Sequence, residues 1–289
     1  MINVNIDNLD ATIPLDTIGV DMGQSLSKMV FLEDDILNCS YYHTQNESTD
    51  FEDAIKSRIE HYKKVNFTGG KSFNLFQTYS KNFETKIINE FEANVKGVEI
   101  LHLLEKKKEL SESLIVTIGT GTSMVSKKNL IEHLGGTALG GGFFMGILKA
   151  LFNLDDFKEA LNLANSGNRY KIDLKVSDIY EPEDDRVDLS FREFTAATFG
   201  KIDLNYNLNN LKKEDFINSL ICMIGENIGM IANLMARIND IYTIVFCGGF
   251  LKENRIVKKI LSVMCKVNGN KAIFIKNSEF CAAIGALCL

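Results

Sequence analysis

Tryptophan is absent from this 289-residue chain, and proline occurs twice, at Pro14 and Pro182. Proline this scarce excludes proline-rich linkers and stalks. Basic charge is also short: 32 Lys and Arg stand against 38 Asp and Glu, for a net charge of −6. The densest basic run, Lys106-Lys107-Lys108, is bracketed by Glu105 and Glu109 and reads as a solvated helix face. Nucleic acid is therefore not an expected partner. No two cysteines stand at CxxC spacing; Cys39, Cys222, Cys247, Cys265, Cys281 and Cys288 read as small core residues of a reducing compartment. The first residues show no basic segment followed by an apolar one, and no apolar run approaches about 18 residues. The expectation is a cytoplasmic protein with no membrane partner. A GxxxxGK[ST] phosphate loop is also missing, which excludes the Walker class.

Glycine, by contrast, occurs 21 times, and many glycines follow short apolar runs. Residues 17–20 and 29–32 read as two strands of a hairpin around Asp21-Met22-Gly23-Gln24-Ser25-Leu26-Ser27-Lys28. Phe51, Ile55, Ile59 and Tyr62 have helical spacing over 51–64, and a strand at 64–67 stops at Thr68-Gly69-Gly70. A long helix is predicted over 84–108. The strand 113–118 is nearly all apolar, hence buried on both faces, and runs into Gly119-Thr120-Gly121-Thr122-Ser123. The cluster Gly135-Gly136-Thr137-Ala138-Leu139-Gly140-Gly141-Gly142 opens a helix bearing Phe144, Ile147, Leu148 and Leu151 on one face. Residues 165–192 read as a surface excursion, 215–237 as an amphipathic helix, and 242–247 as a buried strand ending in Gly248-Gly249-Phe250. A helix near 253–266 and a strand at 272–275 precede the apolar segment 280–287. Alternating strands and helices make the class α/β.

In such sheets, ligands bind beyond the carboxyl ends of the strands. Glycine there lets backbone N–H groups approach a phosphate. Ser25, Ser27 and Lys28 add donors and one cation, and Asp21 is placed to hold a magnesium ion directly or through water. Thr120 and Thr122 add hydroxyls, and the helix that starts after Gly140 adds its positive end. Together these segments suit a nucleoside triphosphate.

In order and spacing, these segments resemble the actin-like ATPase superfamily of sugar kinases, and within it the type II pantothenate kinases. The resemblance runs over about residues 17–289. It rests on 19–28, Thr68-Gly69-Gly70, Glu90-Phe91-Glu92-Ala93, 119–123, 135–142, Asp173-Leu174-Lys175-Val176 with Ile179-Tyr180, Thr195-Ala196-Ala197 with Phe199-Gly200, Gly248 with Phe250, and 283–287. It implies two actin-like (ribonuclease H-like) domains around a nucleotide cleft, at 17–112 and 113–289, after an N-terminal extension at 1–16. It also implies transfer of phosphate from ATP to pantothenate, with Mg2+, in a homodimer that coenzyme A or an acyl-CoA inhibits.

By this resemblance Glu90 is the catalytic base, with Glu92 its rival two residues on, pointing elsewhere on a helix. Asp21, Gly23, Gln24, Ser25, Lys28, Thr120 and Gly121 hold the triphosphate, Asp21 also its metal. Gly141, Gly142, Phe143, Phe144, Met145, Phe157, Gly248 and Gly249 contact the nucleotide, although spacing alone reads Phe144 as core and an isolated Phe157 equally so. Glu90, Thr122, His133, Gly136 and Thr137 face the acceptor. Two positions depart from the pattern: Gln24 replaces a glycine, and His133 replaces an arginine whose two-pronged guanidinium it cannot match. These departures keep open a kinase for another small hydroxylated acceptor, or a nucleotide- or CoA-binding homologue without catalysis.

Overall fold

The computed structural model describes residues 2–5, 13–44, 49–186, 188–203 and 205–289. The first half comprises β1 (Ile2–Asn5), β2 (Thr17–Met22), β3 (Leu26–Glu33), β4 (Ile36–His43), α1 (Thr49–Ile59), β5 (Lys64–Thr68), α2 (Phe73–Tyr79), β6 (Glu84–Ile87) and α3 (Glu90–Lys106). The second comprises β7 (Ser113–Ile118), β8 (Thr122–Lys127), β9 (Ile131–Thr137), α4 (Gly141–Phe152), α5 (Phe157–Ser166), β10 (Leu174–Lys175), β11 (Thr195–Ala197), α6 (Lys213–Ile238), β12 (Thr243–Cys247), α7 (Arg255–Val267), β13 (Lys271–Phe274) and α8 (Cys281–Cys288).

Two mixed sheets result, ordered β1-β4-β3-β2-β5-β6 and β13-β12-β7-β8-β9. Leaving aside the edge strand β1, the two have the same plan. Each begins with an antiparallel three-strand meander whose first strand pairs in parallel with a later strand, and that strand pairs in parallel with a last one. The first hairpin turns, at 23–25 and 119–121, are therefore equivalent. So are the ends of the parallel neighbours, Thr68-Gly69-Gly70 and Cys247-Gly248-Gly249. The repeated glycine punctuation of the sequence reflects this duplicated topology.

The core is layered. Helices α1 and α2 cover one face of the first sheet through Phe51, Ile55, Leu75 and Tyr79. Helices α3 and α8 lie between the sheets, with Val95, Val98, Ala283 and Ile284 packed on Val30 and Leu37 from one sheet and on Ile115 and Val245 from the other. Helices α4 to α7 cover the outer face of the second sheet over Leu114, Val116 and Ile118. Strand β7 is thus buried on both faces, as its apolar run requires.

Helices α3 and α8 approach one another very closely. A Cβ on Gly97 would collide with the Cys281 carbonyl, and one on Gly285 with the Ala93 carbonyl. Glycine at both positions is what lets two backbones share the space between the sheets.

Several elements differ from the sequence expectations. The helix expected over 84–108 divides into strand β6 and helix α3, with the break at Ile88-Asn89. Asn89 accepts from the Phe91 and Glu92 N–H groups and so fixes where α3 starts. Gly135, Gly136 and Thr137 belong to strand β9, and only Gly141 and Gly142 enter α4. At the N-terminus, β1 pairs with β4, and residues 6–12 lie outside the described residues. Helix α6 has the length and apolar composition of a membrane span, and 61% of its apolar window is buried inside the protein.

Candidate active site

The two equivalent hairpin turns face each other. Ser25 Oγ and Thr120 Oγ1 stand 3.3 Å apart. Between them and the N-terminal ends of α3 and α8 lies a cleft of about 710 Å3. It gathers Asp21, Gly23, Gln24, Ser25, Lys28, Glu90, Thr120, Gly121, Thr122, Thr137, Gly141, Gly142, Met145, Phe157, Gly248 and Gly249, residues expected at the site from distant parts of the sequence.

At its centre, Asp21 and Lys28 are direct cross-strand partners on β2 and β3. Their side chains pair, with Nζ 2.7 Å from Oδ2, and Asp21 is 5% exposed. Gln24 and Ser25 are exposed at the turn where they line the cleft.

Glu90 opens α3 beside this pair. Its carboxyl is held above the usual carboxylate range, first by burial against the cleft walls and then by the negative charge of Asp21, with Lys28 opposing. Both acids are exposed at the start of α3, but only Glu90 lines the cleft. The threonines on the facing wall are engaged through one residue. Thr122 Oγ1 donates to the Leu139 carbonyl at 2.7 Å, and Thr137 Oγ1 accepts from the Leu139 N–H at 3.2 Å. The Thr137 hydroxyl hydrogen is thereby left for another acceptor.

The start of α4 serves differently from the expectation. The Gly141 and Gly142 N–H groups donate to the Gly119 and Thr120 carbonyls, at 2.7 and 2.9 Å. These donors fasten the helix to the hairpin turn and are not free for a phosphate. Further along, Met145, Phe157 and Phe250 form an apolar end, with the Phe157 and Phe250 rings 5.9 Å apart. Gly248 has φ +106°, a conformation that favours glycine, and its N–H donates to Ser278 Oγ at 3.2 Å. Nothing stands within 4 Å of a Cβ built on Gly249, so the missing side chain keeps that wall open.

Five expected residues lie outside the lining. Ser27 is buried, with its Oγ 3.0 Å from Thr44 Oγ1, and so does not reach the cleft. Phe144 is fully buried core, edge-on to Phe157 and Phe250, and Phe143 is half-buried against the same core. Gly136 is exposed on β9, paired with Ser123. His133 is exposed on β9 and stacks flat on Phe91, with centroids 4.0 Å apart and planes 9° apart. Sequence reasoning missed Phe91 and Asn94 on α3, and Ser278, Glu279 and Ala282 before and within α8. Helical spacing from Glu90 could have found Asn94; the α8 residues arrive through the chain's long-range packing. Among the described residues, no group of three or more His, Cys, Asp or Glu is placed to hold a metal.

The family model described as Fumble matches residues 49–289. A protein named type II pantothenate kinase from Bacillus thuringiensis subsp. konkukian is 32% identical over 275 residues, covering 94% of this chain and 96% of its own length. One of the same name from Oceanobacillus iheyensis is 32% identical over 272 residues, covering 93% and 98%. Among solved structures, a ROK family protein from Streptococcus pneumoniae in complex with sucrose aligns with TM-score 0.56 at 12% identity, over 94% of this chain and 96% of that one. A ROK family glucokinase from Streptomyces griseus in complex with glucose and AMPPNP aligns with TM-score 0.55 at 12% identity, over 93% and 97%. These structural likenesses show the fold alone, the two-sheet α/β architecture of actin-like sugar kinases.

Proposed function

The chain belongs to the Fumble family, that of the type II pantothenate kinases, and from this premise we propose that it transfers the γ-phosphoryl group of ATP to the primary hydroxyl of pantothenate, the first step of coenzyme A synthesis. The observation that carries the reading is the meeting of Glu90 with both hairpin turns in one cleft.

Phosphoryl transfer needs positioning, charge neutralisation and an acceptor for the hydroxyl proton. Glu90 takes that proton as the acceptor oxygen bonds to the γ-phosphorus and the bond to the β-phosphate oxygen breaks, releasing ADP. Its raised pKa makes it a stronger base than an ordinary carboxylate. Lys28 and the turns at 23–25 and 119–121 bind the phosphates. The apolar end at Met145, Phe157 and Phe250 takes the base, and open Gly249 the sugar. Thr122 and Thr137 face the acceptor.

Mg2+ is part of the proposal, and the donor set fits it. Magnesium uses one or two carboxylates together with substrate phosphates, so Asp21 suffices where a three-ligand cage is missing. When bound, such an ion would neutralise phosphate charge during transfer. The proposal also includes a cytoplasmic homodimer and inhibition by coenzyme A or its thioesters. Support for the first is the row Met230, Leu234 and Ile238, which α6 exposes at four-residue spacing. Support for the second is that coenzyme A contains both an adenine nucleotide and a phosphopantothenate arm. Units at 17–112 and 113–289 belong to the same reading, with α8 of the second packed on the first.

The test is ADP formation with and without pantothenate, in the wild type and in Glu90→Gln. Pantothenate-stimulated turnover that the variant loses supports the assignment. Turnover with a different hydroxylated acceptor alone would move the substrate, and nucleotide binding without any turnover would remove the enzyme.

A further inference from the structure

Asn94 sits four residues after Glu90 on α3, so the two share one face a single turn apart. It lines the cleft, yet it is 5% exposed. Its Nδ2 donates to the Glu90 backbone carbonyl at 3.0 Å. A carbonyl only accepts, so this bond fixes which end of the amide is the amino group and leaves Oδ1 as the other end. No described residue donates to that oxygen. Asn233, a buried asparagine of α6, makes the same bond back to Gly229, but its Oδ1 accepts from Asn270 at 2.7 Å. Unlike Ser113 Oγ and Asn254 Nδ2, which are enclosed without a partner, Asn94 Oδ1 is not closed off, and its residue lines the cleft. A donor is what this oxygen lacks from the protein, and a ligand in the cleft can supply one.

We propose that Asn94 is a specificity-determining contact for the acceptor substrate, its Oδ1 accepting a hydrogen bond from a neutral donor beside the reacting hydroxyl. An acceptor-only oxygen cannot bond a triphosphate or an ionised carboxylate, neither of which offers a donor. It reads the middle of the molecule. On the proposed pantothenate reading, on which this inference rests, the donors there are the secondary hydroxyl and the amide N–H. The contact complements Glu90: one residue removes a proton from the primary hydroxyl, and the other recognises what is attached to it.

Steady-state kinetics on the wild type, Asn94→Ala and Asn94→Leu test this, with pantothenate and two analogues. One analogue lacks the secondary hydroxyl, and the other has an ester oxygen in place of the amide N–H. The expected result is a KM for pantothenate raised about tenfold or more in both variants, the size of one lost hydrogen bond to a buried group. KM for ATP and the melting temperature should stay close to wild type. One analogue should cost the wild type a similar factor and cost the variants nothing further, which identifies the donor. An unchanged KM for pantothenate, a parallel rise in KM for ATP, or equal losses with both analogues in wild type and variants would overturn the contact alone. Absence of pantothenate turnover in the wild type would overturn the substrate and this contact with it.

Discussion

Under the proposed mechanism, Glu90 carries two opposed demands. It must be ionised to act as a base, and its surroundings favour the protonated form, by burial and by the charge of Asp21. The acid limb of the kcat/KM profile should therefore lie above the ordinary carboxylate range, and Glu90→Gln should lose about 10²- to 10⁴-fold in kcat, the usual worth of a general base. The same shift has a sign for stability. A carboxyl whose folded pKa is raised is ionised at a cost to the fold. That cost develops as pH rises through the ordinary carboxylate range and is complete above the folded pKa. Glu90→Gln should thus melt no lower than wild type at neutral pH, with any advantage vanishing below the ordinary range; a variant clearly less stable at pH 7 would contradict this. Lys28→Met differs: it leaves Asp21 buried and unpaired, which should cost about 3 kcal/mol or more by chemical denaturation and weaken ATP binding. At this scale sequence reading reached many of the lining residues, because loop glycines and hydroxyls announce themselves. It chose Glu90 over Glu92 by resemblance alone; helical spacing could not make that choice, since it depends on where Asn89 starts the helix. Nor could it show that His133 spends its ring face on Phe91.

The α3–α8 pair governs the element scale. Gly97 and Gly285 let the two helices touch backbone to backbone. Gly97→Ala or Gly285→Ala should force them apart, at or beyond the roughly 3 kcal/mol upper range of ordinary overpacking. Because Glu90 opens α3 and Glu279 and Ala282 flank the start of α8, both variants should lose turnover as well as melting temperature. Retained activity at normal stability would show that the contact is looser than it looks. The strands at 36–43 and 131–137 escaped the sequence reading for a physical reason. Strand β4 mixes polar residues into its buried face, and β9 is a half-exposed edge carrying two glycines, so neither has the apolar run of β7. Strand β6 was absorbed into the helix after it because Ile87, Ile88 and Phe91 also fit a helical stripe.

For the molecule as a whole, the α/β class was legible because β7 and β12 are apolar on both faces. The twofold repetition of one topology was visible in the sequence only as recurring glycines. Side-chain identities differ between the halves, while the hydrogen-bonded turns share their backbone topology. The cysteines give a global test. All six are free thiols, five are buried, and burial pushes Cys39 and Cys288 up to about 12 and Cys222 and Cys265 up to about 11. The native protein should expose at most Cys288 to a thiol reagent at neutral pH, against six after denaturation, and reductant should leave its melting temperature unchanged. Rapid native labelling of several thiols would contradict this packing.

Helix α8 also sets an order of events during synthesis. Asn66 on β5 donates to the carbonyl of Ala286, 220 positions later. A nascent chain emerging from the ribosome can pair β2, β3 and β5, but one face of that sheet and the glycine groove of α3 stay uncovered until residues 281–288 are made. Domains generally fold as units during translation, the N-terminal part first. Here the sheet of the first half waits for a helix made some 220 positions later, so that wall of the cleft is completed only after α8 is made.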